Sequence, residues 1–89
     1  MTDQNEQLWL VERDVDGRNV ITLIYATPDG SRYHRRERAA AGLQTGSSVT
    51  AAIEVEESNL RHVEDEETRA RYATEVERTA NRYEPDDPL

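Results

Sequence analysis

The stretch Val20-Ile21-Thr22-Leu23-Ile24-Tyr25-Ala26-Thr27 constrains the fold more than any other, because it is the densest apolar run in a chain that is otherwise mostly charge. β-Branched and aromatic residues dominate it, and turn-forming residues bound it, Asp16-Gly17-Arg18-Asn19 before and Pro28-Asp29-Gly30 after. That composition, length and punctuation predict a strand. Apolar side chains fall on both of its faces, which places it at the centre of a sheet covered above and below.

The neighbouring segments follow from this strand. Gln7 to Val15, led by Leu8-Trp9-Leu10-Val11, reads as the strand before it, joined through Asp16-Gly17-Arg18-Asn19, where Gly17 is free to take positive φ. Thr27-Pro28-Asp29-Gly30 is the next turn, with glycine in the left-handed position of a three-residue loop. Ser31 to Arg38 is then a polar third strand at a sheet edge, where charge discourages further pairing. Between Ser48 and Glu56, Val49, Ala51, Ile53 and Val55 alternate with polar or small residues, which predicts a fourth strand ahead of a helix. Ala39 to Gly46 is an irregular loop anchored by Leu43, and Leu60 and Val63 anchor the connector that follows the fourth strand.

Asp65 is positioned to cap a C-terminal helix, with Glu66 and Glu67 in its first turn and Arg78 and Arg82 in its last turns, as the helix dipole favours. Tyr72, Ala73, Val76, Ala80 and Tyr83 fall on one stripe, Glu67 and Arg71 are spaced as an ion pair, and Pro85 ends the helix. The fold class is therefore α+β, an antiparallel meander of three to four strands with one C-terminal helix on one face. At 89 residues the chain reads as one domain over 7–84, with disordered tails at 1–6 and 85–89.

Turn geometry sets the registers. The first hairpin places Val15 opposite Val20 and Leu10 opposite Tyr25. The second places Thr27 opposite Ser31 and Tyr25 opposite Tyr33. Alternation then puts Leu8, Leu10, Ile21, Leu23, Tyr25 and Tyr33 on one face. Trp9, Val11, Val15, Val20, Ile24 and Ala26 fall on the other, flanked by Arg32, His34, Arg36 and Arg38.

Charge sets the environment. Nineteen acidic residues stand against 11 basic ones, all arginine, for a net charge of −8 without a single lysine. Such a surface suits concentrated salt, where repulsion is screened within ~3 Å at 1 M. Arginine is also the weakly hydrated, fork-shaped cation that pairs best with carboxylate.

Leu8-Trp9-Leu10-Val11-Glu12-Arg13, then Leu23-Ile24-Tyr25-Ala26-Thr27-Pro28-Asp29-Gly30 with Arg32-Tyr33, then Arg35-Arg36-Glu37-Arg38-Ala39, resemble small uncharacterised proteins of halophilic archaea. The resemblance runs from Leu8 to about Tyr83. It implies a cytoplasmic, high-salt setting and carries over no catalytic residue.

Signals for chemistry are weak. Ser47 and Ser48 lack a glycine-framed nucleophile elbow, and a phosphate loop would need lysine. His34 and His62 are the only histidines; His62 beside Glu64 and Asp65 reads as an exposed connector residue rather than a metal ligand. Asp14 and Asp16 begin a calcium-loop spacing, but Arg18 and Tyr25 occupy its later ligand positions. No catalytic residue, metal ligand or cofactor is expected. No cysteine is present, no run approaches a membrane span, and the polar start, Met1 to Gln7, does not read as a signal peptide.

Two surfaces remain. Residues 31–53 carry Arg32, Arg35, Arg36 and Arg38 against Glu37 alone, a net of +3 in an acidic chain. With one face under the helix, Trp9, Val11 and Ile24 are left on the other, rimmed by Arg32, His34, Arg36 and Arg38. This combination predicts a protein-interaction module, a homodimer or the binder of an acidic protein partner. The alternative is RNA or single-stranded nucleic acid held by the arginines, with Trp9 stacking on a base. High salt argues against the alternative, because counterion release loses its driving force there.

Overall fold

The computed structural model describes residues 4–15, 19–39 and 49–89. Within them the chain is one five-stranded antiparallel sheet and one C-terminal helix. The strands are β1 (Asn5–Val15), β2 (Val20–Ala26), β3 (Arg32–Ala39), β4 (Ala52–Glu56) and β5 (Arg61–His62), and the helix is α1 (Glu66–Arg82). A short 3-10 turn, Glu57–Asn59, links β4 to β5. The expected turn at Asp16–Arg18, the loop holding Leu43 and the tail at Met1–Asp3 lie outside the described residues.

β2 is central, as its two-sided apolar pattern requires, but the sheet is not a plain meander. Its order is β4-β1-β2-β3-β5. β4 crosses to the far side of β1, where Ile53 comes opposite Leu8 and Val55 opposite Glu6. Apolar complementarity explains the choice: the neighbour available at β3 is a row of charge, whereas Leu8 and its surroundings gain cover from Ile53 and Val55. β5 pairs only with Arg32 and Tyr33 of β3.

The two faces bury separate clusters. On one, Trp9, Ile24, Ala26, Ala51, Ala52 and Val63 pack with Tyr72 and Val76 of α1. Trp9 lies opposite Ala26 on one side and Ala52 on the other, small neighbours that leave room for its indole. On the opposite face, Leu8, Leu10, Ile21, Leu23, Tyr25, Val49 and Val55 form the second cluster, with Ile53, Leu60 and Leu89 against it. Each large side chain so buried contributes roughly 1.5–3 kcal/mol relative to exposure.

α1 starts as its residues predict. Asp65 accepts from Thr68 N–H at 2.9 Å and from the Thr68 hydroxyl at 2.8 Å, and Glu66 and Glu67 occupy the first turn. Its buried stripe is shorter than expected. Tyr72 and Val76 are buried, whereas Ala80 is exposed and Tyr83 has already turned to extended backbone as the C-cap. Arg71 does not join Glu67. It leans over the Tyr72 ring, 5.6 Å from its centroid, and reaches Glu12 of β1 at 3.6 Å.

A bulge at Val11 brings Glu12 to that side. Leu10 faces Tyr25 as expected, but beyond the bulge Glu12 faces Ile24, Arg13 faces Leu23 and Val15 faces Ile21 rather than Val20. α1 crosses here, and the Thr79 hydroxyl donates to the Leu10 carbonyl at 3.0 Å. Asn19, the residue before β2, takes the positive φ of 64°.

Both tails are more engaged than their polarity suggests. Asn5 and Glu6 are already strand, paired with Glu56 and Val55. Residues 85–89 run beside 49–52: Ala52 N–H donates to the Pro85 carbonyl, Ala51 N–H to that of Asp87, and Leu89 N–H to that of Val49.

Candidate interaction site

The turn between β2 and β3 decides what the arginine row can do. It is one residue longer than expected. Thr27 N–H donates to the Arg32 carbonyl, so Pro28 to Ser31 form a four-residue loop. Asp29 organises it: one carboxylate oxygen accepts from Ser31 N–H at 3.0 Å and from the hydroxyls of Ser31 and Thr27, each at 2.7 Å. These bonds to the charged form hold the Asp29 carboxyl down from 3.8 to about 2. Gly30 closes the turn at φ 73°, where it lies against the backbone of α1.

The extra residue shifts β3 by one and exchanges its faces. Tyr25 now faces His34, and Ala26 faces Tyr33. Tyr33 therefore packs with the cluster under α1, while Arg32, His34, Arg36 and Arg38 line the opposite face. The expected union of these arginines with Trp9, Val11 and Ile24 does not occur. Trp9 and Ile24 are 8% and 7% exposed beneath α1, and Val11 packs against the same cluster. The helix took this face because the small residues there admit Tyr72 and Val76.

Rungs across three strands define the arginine corner. Arg13 of β1, Leu23 of β2 and Arg36 of β3 stand in one line; Val15, Ile21 and Arg38 form the next. Strands ~4.8 Å apart put Arg13 and Arg36 about 10 Å apart at their Cα atoms, within joint reach of one ligand. Tyr25 lies beside them, 2% exposed, and burial raises its phenol pKa against the opposing pull of Arg36, Arg38 and Arg13.

The arginines differ in what they already hold. Arg32 is engaged: its guanidinium reaches both Glu6 carboxylate oxygens, one at 2.6 Å, with Glu57 at 3.6 Å. Arg35, on the α1 side, pairs with Glu37 at 2.8 Å. His34 Nδ1 lies 3.3 Å from the Asn59 carbonyl. Arg13 makes a long contact, 3.5 Å, to a main-chain oxygen of Leu89. Among the described residues, no carboxylate stands within 4.0 Å of the Arg36 or Arg38 guanidinium.

A family model described as a family of unknown function, DUF7967, matches residues 1–89. The chain belongs to that family. No curated protein and no solved structure matches it.

For this DUF7967 member the arginine row on β3 was legible from sequence, and the arginine that joins it from β1 was not. Arg13 joins Arg36 and Arg38 only because the bulge at Val11 resets the pairing of β1, and no glycine or proline marks that bulge. Among the described residues no three His, Cys, Asp or Glu side chains gather as a metal site requires, and no helix is long and apolar enough to cross a membrane. His62 is exposed in β5, on a groove shared with Glu64, Asp65 and Thr68.

Proposed function

We propose that this chain is a small non-enzymatic interaction module of a salt-adapted cytoplasm that holds an acidic polypeptide partner through Arg13, Arg36 and Arg38. One observation carries the reading. In a chain with eight more negative than positive charges, Arg36 and Arg38 have, among the described residues, no carboxylate at ion-pair distance. Arg32 and Arg35 show that acidic neighbours were within reach of the same strand. Guanidiniums left without a carboxylate, beside a third across Leu23, are suited to a carboxylate brought by another molecule. The salt-adapted, archaeal setting is supported by total replacement of lysine with arginine and by the acid excess.

Self-association through Trp9, Val11 and Ile24 has lost its surface to α1. The nucleic-acid reading has lost its stacking residue for the same reason, since Trp9 and the arginine corner lie on opposite faces.

Fluorescence anisotropy with a labelled glutamate-rich peptide, in about 0.2 M and about 2 M potassium chloride, tests the proposal across the strongly screened range. Saturable binding is expected, weakened at least about tenfold by Arg36→Glu with Arg38→Glu. Arg36 is half-buried and Arg38 exposed, so the variant is checked for fold by circular dichroism, whose spectrum should match that of the parent in 2 M salt. Absence of peptide binding overturns the proposal, as does undiminished binding by the double variant. Preference for a single-stranded RNA of equal length would install the nucleic-acid reading instead.

A further inference from the structure

Among the described residues, the outer edge of β3 is unpaired beyond Tyr33. β5 covers Arg32 and Tyr33 and then ends. The hydrogen-bond pattern identifies the backbone groups left over. Thr27 N–H donates to the Arg32 carbonyl on the β2 side, and Val63 N–H donates to the Ser31 carbonyl on the β5 side. Antiparallel ladders alternate, so His34, Arg36 and Arg38 direct their main-chain groups to β2 while Arg35, Glu37 and Ala39 direct theirs outward. Among the described residues no strand pairs with those three. A groove of about 470 Å³ lies alongside, lined by Tyr33, His34, Arg35, Glu37, Asn59 and Arg61.

We infer that the partner binds as an added β-strand along His34–Ala39, an extended acidic segment whose backbone extends the sheet while its alternate carboxylates meet Arg36 and Arg38. This rests on the proposed function and specifies how the partner is held at Arg36 and Arg38, with Arg13 two strands further in.

Charge selects the occupant. A second copy pairing edge to edge would place Arg36 opposite Arg36 in the register centred there. In the register centred on Glu37, Arg36 would face Arg38. Like charges directly opposite destabilise a strand pair. An acidic strand reverses each of these terms. Its side chains alternate between faces, so glutamates at every second position all fall on the side of Arg36 and Arg38. Salt supplies a further reason. Guanidinium–carboxylate attraction beyond contact range is screened within ~3 Å at 1 M, whereas a ladder of main-chain hydrogen bonds carries no net charge to screen.

The test uses the intact chain and two peptides of about ten residues in which glutamate alternates with valine or threonine. In one, N-methyl groups replace the amide hydrogens that would face β3. Amide exchange of the protein is followed by NMR in 2 M potassium chloride. The unmodified peptide is expected to slow exchange at Arg35 and Glu37, with Arg36 already protected by β2. The N-methylated peptide is expected to bind at least about tenfold more weakly, three ladder bonds being at stake. Equal binding of both peptides without new protection at Arg35 and Glu37 overturns strand addition and leaves the acidic-partner reading standing. Failure of both peptides to bind overturns the two together.

Discussion

Asp29 shows how one carboxylate decides a face of the sheet. By accepting from Ser31 N–H and two hydroxyls it stabilises a four-residue loop, and that length sends Arg36 and Arg38 away from Trp9. Thr27-Pro28-Asp29-Gly30 announced a turn in the sequence, yet the side-chain bonds that choose between three and four residues were not readable from residue types. Its pH dependence follows from linkage. The folded carboxyl titrates at about 2, below its usual 3.8, so its contribution is complete above pH 4 and is lost as pH falls from about 4 to about 2. Thermal melts of the parent and of Asp29→Asn should differ at pH 6, draw together as pH falls below about 4 and converge only near pH 2. A gap that stays constant across this range would show that the loop does not depend on the charge.

At the scale of elements, the contact between that loop and α1 is the tightest constraint. A Cβ built on Gly30 would come within 2.8 Å of the Ala73 nitrogen and would clash with the Arg69 carbonyl oxygen. Both obstacles are helix backbone, which cannot rotate aside, and φ at Gly30 is 73°. Gly30→Ala should therefore cost about 2–4 kcal/mol in urea unfolding, strain and overpacking combined; a loss under about 1 kcal/mol would mean that loop and helix separate freely. The strands at Leu8, Ile24 and Val55 and the helix from Asp65 were legible because their apolar periods and caps are local signals. β5 was not, since Arg61 and His62 carry no strand pattern and are ordered by their partners Arg32 and Tyr33. Which face the helix covers was not readable for a related reason: Tyr72 and Val76 could serve either side, and the alanines around Trp9 decided it.

For the molecule as a whole, the net charge of −8 is distributed unevenly, and most of the excess lies in residues 54–89. Screening that repulsion should raise the melting midpoint between about 0.2 M and about 2 M potassium chloride, by about 4–8 °C for each kcal/mol recovered. A midpoint that falls or stays level would remove the salt-adapted reading. β1 draws partners from distant parts of the chain, β2 next door, β4 some way on, and Thr79 of α1, 69 positions along from Leu10. Nearby hairpins close in about 1–10 μs, whereas distant contacts wait on the search of a long loop. This separation favours pairing of β1, β2 and β3 before α1 docks over Trp9, an order that stopped-flow Trp9 fluorescence checks. During that interval the carboxylates keep neighbouring chains apart, so the same charge that burdens the finished fold guards the unfinished one.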